Sequence, residues 1–311
     1  MESVKLMPGS VPITTVARRR TNWRSAYTMM FPTIVLLLAF MYYPAIMAIV
    51  YSFTNWDGLN QPSFVGILNY AQVLRDPVFW LSMQHLLLWA LFRLIVDLMI
   101  PLVVASMIYH LTSRRAQYLY RVLFVIPMVI PNVVALMVWS FIYDPNVGVL
   151  NGTLKAIGLS GLALDWLGNP KLALGALMFV GFPFVIPFNL LIFYAGLQNI
   201  SDSVYEAARL DGAGVWRRFF QLEMPLVLGQ LKLLMILTVI GLLQNVMLPL
   251  VLTNGGPGYA TYMPGLYMYF AAFQNGQIAV GLAVAMIIFI IVLGLTLVQV
   301  RFIRPSTEFE A

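Results

Sequence analysis

Long apolar stretches alternate with short polar ones along this chain. A helix that crosses a membrane needs about 20 mostly apolar residues, because its backbone polar groups must be hydrogen-bonded within the segment. Six stretches meet this requirement, near residues 27–51, 79–109, 119–143, 171–198, 224–252 and 278–301. The second and fourth are longer than a straight crossing needs, which predicts tilt. The pattern therefore predicts an all-α membrane protein with six transmembrane helices.

Composition agrees with this class, since 61% of the residues are hydrophobic and only 10% are charged, unlike a soluble domain. The connections contain turn-forming residues, as in Asp57-Gly58, and none is long enough for a separate folded domain. The sequence thus predicts a basic N-terminal segment at 1–26, a six-helix domain at 27–303 and a tail at 304–311. The first segment lacks the apolar core and cleavage site of a secretory signal.

The distribution of Lys and Arg predicts the orientation, because short basic loops stay in the cytoplasm. One side of the predicted membrane has only Arg75, Lys155 and Lys171. The other side has thirteen basic residues: Lys5, Arg18, Arg19, Arg20, Arg24, Arg114, Arg115, Arg121, Arg209, Arg217, Arg218, Arg301 and Arg304. We therefore expect both termini and the segment 199–223 to be cytoplasmic. The net charge of +6 then reflects topology, and no nucleic-acid partner is expected.

The segment 199–223 is a charged, helix-forming island between two apolar spans. Ser203 and Glu206 have the spacing of a capping box, which predicts a helix start at Ser203. Gly212 permits a turn, and a second short helix can form over 215–222. The segment is therefore predicted to be a helical hairpin beneath the membrane.

Two interpretations of this hairpin follow from the residues alone. It can be an amphipathic connector, with Trp216, Phe219 and Phe220 among the lipid headgroups. Alternatively, its charged face can meet a partner outside the membrane. In either case Pro225 suits an early position of the next span. The physical chemistry of the segment leaves both interpretations open.

A spaced pattern across the hairpin resembles the EAA loop of ABC importer permeases. It consists of Glu-Ala-Ala, three residues, Gly, nine residues, and two aliphatic positions before Pro. In this chain it is carried by Glu206, Ala207, Ala208, Gly212, Leu222, Met224 and Pro225. Leu222 and Met224 replace the commoner Ile and Leu. Asp211, Ala213 and the following phenylalanines are similar to the carbohydrate-uptake, maltose-permease-like branch of these type I importers.

Other segments extend the resemblance over most of the chain. Gly66-Ile67-Leu68-Asn69-Tyr70 resembles the first outer loop of that family. The loop after the fifth span resembles that of the larger maltose-permease type, and the resemblance implies that it faces the substrate-binding protein. Its residues are Asn254, Gly255, Gly256, Pro257 and Gly258. Since such importers pair two different permeases, the resemblance implies a heterodimer.

The resemblance also implies roles for the hairpin and the subunits around it. The EAA loop would be the coupling helix, seated in a cleft of a cytoplasmic ATPase. Glu206 would make polar contacts there, Ala207 and Ala208 would permit close approach, and Gly212 would form the turn. The expected complex has two permeases, two ATPases and one extracytoplasmic binding protein. It would lie in the cytoplasmic membrane of a bacterium or archaeon, in contact with lipid.

No catalytic or cofactor site is expected in this chain. A phosphate-binding Gly-x-x-x-x-Gly-Lys-Ser/Thr loop does not occur in the sequence, so the partner ATPase is expected to bind ATP and Mg²⁺. The chain has no cysteine, and its two histidines, His85 and His110, lack partners at metal-ligand spacing. We therefore predict neither an enzyme nor a metal centre.

Polar residues within spans are candidates for a substrate path, because they are costly in lipid. Gln244 and Asn245 lie midway along the predicted fifth span, where their amides could bind sugar hydroxyls. Asn132 and Asn189 are further candidates, each near a proline. Interhelical hydrogen bonding is the alternative for all four, and it is favoured for Asn132 and Asn189. The sequence does not identify the sugar.

Arg93 and Asp97 are four residues apart, so one turn of helix would pair them. A neutral structural pair is favoured over a charge site for substrate. An ion-gradient-driven secondary transporter or channel is the alternative function, and it would need unpaired acidic residues within the spans. Prolines at four places predict bends in the third and fourth spans: Pro127, Pro131, Pro183 and Pro187.

Overall fold

The computed structural model describes residues 23–302, and side chains from 27 to 301. Regular structure in this range is helical, apart from one isolated antiparallel bridge between Thr54 and Phe64. The chain divides into two compact units whose described parts are residues 23–48 and 49–302. The predicted tail at 304–311 and most of the predicted segment 1–26 lie outside the described residues.

The first predicted span is helical. Helix α1 (Trp23–Leu37) passes through a π-helical turn (Leu38–Tyr42) into α2 (Tyr43–Ser52). The run Tyr27–Ser52 has 26 residues and is apolar enough to cross a membrane. Its bounds agree with the predicted span at 27–51.

The second predicted span is one long helix. A short helix, α3 (Leu68–Arg75), leads into α4 (Pro77–Tyr109), which has 33 residues. The Asp76 carboxylate caps α4 by accepting a hydrogen bond from the Val78 amide at 2.8 Å, and Pro77 suits a first helical position. The hydroxyl of Tyr267 donates to the same carboxylate at 2.6 Å. At about 1.5 Å per residue, α4 exceeds the thickness of a bilayer core.

The third predicted span bends sharply. Helix α5 (Arg114–Val125), a 3₁₀ turn (Ile126–Val129) and α6 (Asn132–Ile142) follow one another, and the two arms meet at 92°. Pro127 and Pro131 lie in the break, where each removes a backbone donor. The predicted bend is therefore present.

The fourth predicted span is not one helix. After α7 (Val149–Ala156), a 3₁₀ turn (Ser160–Leu162) leads to α8 (Ala173–Phe179) and α9 (Pro187–Gln198). Residues 180–186 between α8 and α9 are not helical. Gly181 and Phe184 there have φ of +91° and +62°, which a right-handed helix excludes. The prediction of one long, tilted helix over 171–198 was therefore wrong, whereas the bend that Pro183 and Pro187 predicted in this span is present.

The fifth predicted span is interrupted twice. The hairpin helices α10 (Asp202–Leu210) and α11 (Val215–Arg218) lead through a π-helical turn (Phe219–Glu223) to α12 (Met224–Leu226), α13 (Leu228–Leu243) and α14 (Met247–Thr253). The chain bends by 72° between Leu226 and Leu228. It leaves the helix again at 244–246. The predicted span at 224–252 is therefore not one continuous helix.

The sixth predicted span is again a single helix. Helix α15 (Pro264–Tyr269) and a π-helical turn (Phe270–Gln274) precede α16 (Ile278–Phe302). Across the described range, three helices are long and apolar enough to cross a membrane, or five segments if each bent pair is one span. The number six and the cytoplasmic termini stay predictions.

Two apolar clusters form the core of residues 49–302, and α4 contributes to both. The first surrounds the N-terminal half of α4 and includes Phe79, Trp89, Leu177, Met263 and Leu266. The second packs the C-terminal half of α4 against α9 and α13 and includes Leu98, Leu102, Leu190, Phe193 and Leu234. Helix α4 is thus the central element against which the later helices are positioned.

Two glycines of α16 differ in what surrounds them, which gives a test of the packing. A Cβ on Gly281 would lie 2.8 Å from the Ala272 Cβ and 3.1 Å from the Met268 carbonyl oxygen, whereas one on Gly294 would meet nothing within 4 Å. We expect Gly281→Val to cost about 1–3 kcal/mol by overpacking and to lower the Tm in detergent by several degrees. Gly294→Val is the matched control, and equal Tm values for both variants would contradict this packing.

Candidate functional site

The N-cap of the polar hairpin lies two residues earlier than the sequence predicted, at Ser201 and not at Ser203. The first helix of the hairpin, α10, starts at Asp202, and the Ser201 hydroxyl oxygen caps it by accepting from the Ser203 amide at 3.3 Å. The predicted capping box of Ser203 and Glu206 was therefore wrong. Ser201 competes successfully for the cap because Asp202 then stands in the first turn, where a carboxylate suits the helix dipole.

The hairpin turns at Gly212. The Gly212 amide donates to the Arg209 carbonyl at 3.0 Å, and the Ala213 amide donates to the Ala208 carbonyl at 2.9 Å. These two bonds make a Schellman motif, which requires a left-handed residue after the helix end. Gly212 fills that position with φ of +69°, a conformation that is strained for residues with a Cβ.

Helix α10 has one open face. Glu206, Ala207, Asp211 and Gly212 are exposed, Ala208 and Ala213 are half-buried, and Leu210 is 89% exposed. Within residues 27–301, the Glu206 carboxylate has neither an ion-pair partner nor a side-chain hydrogen bond. The open face of α10 thus combines an exposed leucine, small residues and a carboxylate that is unpaired among the described side chains.

The opposite face of α10 is anchored by Tyr205, which is only 5% exposed. Its ring lies 5.4 Å from the His110 ring in an edge-on arrangement and 5.6 Å from the Tyr109 ring. Burial raises the pKa of the Tyr205 hydroxyl, and the nearby Glu223 carboxylate raises it further, so the phenol stays protonated at neutral pH. The hairpin is thus held against the C-terminal end of α4.

A buried carboxylate lies at the end of the hairpin. Glu223 is 0% exposed, and it accepts hydrogen bonds from Ser106 Oγ at 2.5 Å and Arg218 Nε at 3.1 Å. Ser106 contacts Oε2 of Glu223, whereas Arg218 and His110 both contact Oε1, and His110 Nε2 lies 2.6 Å from that oxygen. The sequence analysis missed this cluster. A Glu directly before an apolar Met-Pro pair was the one available signal.

The predicted outer loop is a fixed turn following α14. Asn254 ends α14 with φ of +51°, and Gly255 and Gly258 also have positive φ. Thr261 holds the loop closed, since its hydroxyl donates to the Gly256 carbonyl at 2.9 Å. Asn254 and Gly258 are exposed, whereas Gly255 is buried and Gly256 and Pro257 are half-buried.

The structure does not bring the four predicted substrate-path amides together as one site. Gln244 and Asn245 lie in the break between α13 and α14 and not midway along a helix. Gln244 is exposed and lines a cavity of about 230 Å³, whereas Asn245 Oδ1 accepts from the Leu248 amide at 3.2 Å. Asn132 is exposed at the start of α6.

Asn189 and Arg93 instead join helices. Asn189 Nδ2 donates to the Asp97 carbonyl at 2.7 Å, which links α9 to α4. Arg93 pairs with Asp97 at 2.9 Å and also donates to the Val180 carbonyl at 3.0 Å. The predicted one-turn pair of Arg93 and Asp97 is present. Arg93 also connects this pair to the break between α8 and α9 through its bond to Val180. Within residues 23–302, no group of three or more acidic or histidine side chains could hold a metal ion.

Comparison with known proteins assigns the family. Residues 98–304, about two thirds of the chain, match the family described as binding-protein-dependent transport system inner membrane component. The match includes the hairpin, the buried Glu223 cluster and the outer loop. This chain therefore belongs to that family of membrane permeases.

Two curated relatives cover nearly the whole chain. A probable ABC transporter permease protein, YurN of Bacillus subtilis, is 31% identical over 91% of this chain and 97% of its own length. The trehalose/maltose transport system permease protein MalF of Thermococcus litoralis is 30% identical over 88% of this chain and 92% of its own length. The resemblance to ABC importer permeases is thus confirmed.

A solved structure shows the same fold. It is a bacterial alginate ABC transporter in complex with an alginate pentasaccharide-bound periplasmic protein. The likeness has a TM-score of 0.80 at 20% identity, and it covers 92% of this chain and 96% of that one. The chain therefore has the ABC importer permease fold.

Proposed function

We propose that this chain is the permease subunit of an ATP-driven, binding-protein-dependent importer of a sugar or oligosaccharide. The family match and the sugar transport named for the relative from Thermococcus litoralis support this substrate class. In this proposal the chain forms half of the translocation path beside a second, different permease. It lies in the inner membrane with its hairpin and termini in the cytoplasm.

The observation that carries the proposal is the two-sided hairpin. Its open face presents Glu206, Ala207 and Leu210, while Tyr205 fixes its other face to the permease. A dimer of ATPase subunits, which binds ATP and Mg²⁺, would contact the open face. Closure of that dimer on ATP would then move the hairpin and the helices attached to it.

The substrate path and the outer contact are finer parts of the proposal. Among the four predicted amides, Gln244 is the strongest candidate for sugar hydroxyls, because it is exposed beside a cavity. It caps α13 through its backbone amide, and its side chain has no hydrogen-bond partner among the described residues. The turn at 254–258 would contact the substrate-binding protein, since its exposed residues sit on a fixed backbone. Asn132 stays a lesser candidate in the bend of the third span.

Purification from the native membrane in mild detergent tests the proposal. We expect a second permease and an ATPase to co-purify in fixed proportion. The reconstituted complex should accumulate a labelled maltose, trehalose or longer oligosaccharide only with ATP and the co-encoded binding protein. Homo-oligomers alone, with uptake abolished by ionophores, would overturn the proposal and support a secondary transporter.

A further inference from the structure

The Glu223 cluster joins two parts of the chain that are far apart in sequence. Ser106 and His110 belong to the last turn and C-cap of α4, while Arg218 and Glu223 belong to the end of the hairpin. The two contacts between α4 and the Glu223 carboxylate are 2.5 Å long, from the donating Ser106 Oγ, and 2.6 Å long, to His110 Nε2. Glu223 is fully buried, so its negative charge is stabilised by these partners and not by water. Loss of one partner would leave the buried carboxylate incompletely paired, which is costly.

A second set of contacts connects α10 to His110 and Glu223 at the C-terminal end of α4. The Tyr205 ring packs edge-on against His110, and His110 in turn contacts Glu223. Tyr109 lies beside both rings, 5.1 Å from His110. Side chains therefore connect the α10 helix to the end of α4 without passing through the backbone of the hairpin.

The backbone route leads elsewhere. From α10 the chain passes the turn at Gly212, a π-helical turn and the 72° bend before it enters α13. Each of these interruptions is a place where the chain can bend. Helix α4, by contrast, is one continuous helix that packs in both apolar clusters.

We propose that Glu223, His110 and Tyr205 are positioning residues that transmit movement of the hairpin directly to α4, separately from its transmission to α13. This inference rests on the proposed coupling to an ATPase. Displacement of α10 moves the Tyr205 ring, which shifts His110 and the hydrogen-bonded Glu223, and so carries the end of α4 with it. The second span then moves with the hairpin as one body.

Fluorescent labels on α4 and α13 test the two routes separately. The chain has no cysteine, so a single Met107→Cys on α4 or Leu233→Cys on α13 can be labelled within the full complex. These positions are 67% and 48% exposed. Complex with the unmodified chain is the labelling blank. The measurement is the change in fluorescence on addition of ATP and Mg²⁺.

Glu223→Gln keeps the shape of the side chain and removes its charge. We expect it to reduce the ATP-induced change at Met107→Cys by about fivefold or more, the scale of a typical coupling energy, and to leave the change at Leu233→Cys. Tyr143→Phe is the control, since it removes another buried bond, the 2.8 Å contact with the Ala176 carbonyl, and should alter neither signal.

Two substitutions of Tyr205, one that keeps the aromatic ring and one that removes it, test whether the ring transmits the movement. The Tyr205 hydroxyl has no hydrogen-bond partner among the described residues, so Tyr205→Phe should keep the α4 signal while Tyr205→Leu should lose it. An unchanged α4 signal in Glu223→Gln, or loss of both signals together, would overturn the inference. Absence of any ATP response in the unsubstituted complex would instead refute the proposed function.

Discussion

Gly212→Pro is expected to abolish uptake while the protein still inserts and assembles with its partner permease. Proline fixes φ near −65°, whereas Gly212 has φ of +69°. Proline also removes the amide that donates to the Arg209 carbonyl. The end of α10 would then be rebuilt, and ATP hydrolysis would no longer drive transport. We expect uptake into proteoliposomes to fall by at least about tenfold, a coupling loss of about 1.4 kcal/mol or more.

Two variants control for this effect. Gly212→Asn places a residue that tolerates the left-handed region, and we expect it to retain most of the uptake. Gly214→Ala changes a neighbouring glycine whose φ is −67° and whose added Cβ would meet nothing within 4 Å. Normal uptake by Gly212→Pro would rule out the hairpin as the coupling element.

Leu210→Asp is expected to release the ATPase from the complex. Leu210 is 89% exposed on the open face of α10, and burial of a leucine side chain against a partner contributes about 1.5–3 kcal/mol. A carboxylate at this position would lose that energy and would place a charge in the interface. We expect the amount of ATPase that co-purifies with the permease to fall by about tenfold or more.

The matched control is a leucine of similar exposure in a different loop. Leu59 is 93% exposed in the first predicted outer loop, so Leu59→Asp should leave the amount of ATPase unchanged. If Leu210→Asp retains the ATPase at the wild-type level, the open face of α10 is not the docking surface. The amphipathic connector would then be the better interpretation of the hairpin.

The continuous helices could be predicted from sequence because their signals are local. Apolar length defines α4 and α16, and Asp76-Pro77 marks the start of α4. Breaks were harder to predict. Prolines indicated the bends of the third and fourth spans, whereas apolar length hid the extent of the non-helical segment at 180–186 and the interruption at 244–246. Hydrophobicity reports what surrounds a segment and not whether its backbone is helical.

In the candidate site, too, local features could be predicted from sequence and long-range contacts could not. The spacing of glycines indicated the turn of the hairpin, because a left-handed residue is a local requirement. The position of the cap was wrong by two residues, since Ser201 and Ser203 are both good caps. The position of Glu223 before an apolar Met-Pro pair was a signal, but its partners Ser106 and His110 could not be predicted, because they are more than a hundred positions away in sequence.

The contact between Arg93 and Val180 has a consequence for biogenesis. Asp97 neutralises Arg93 within its own helix, so α4 can enter the bilayer before the fourth span has been synthesised, at less cost than an unpaired charge. The Val180 carbonyl reaches the guanidinium only later. That carbonyl ends a helix in an apolar segment and needs a donor there. Arg93 is therefore inserted into the membrane before residues 180–186. Its guanidinium is then available as the hydrogen-bond donor for the Val180 carbonyl when this non-helical segment packs against α4.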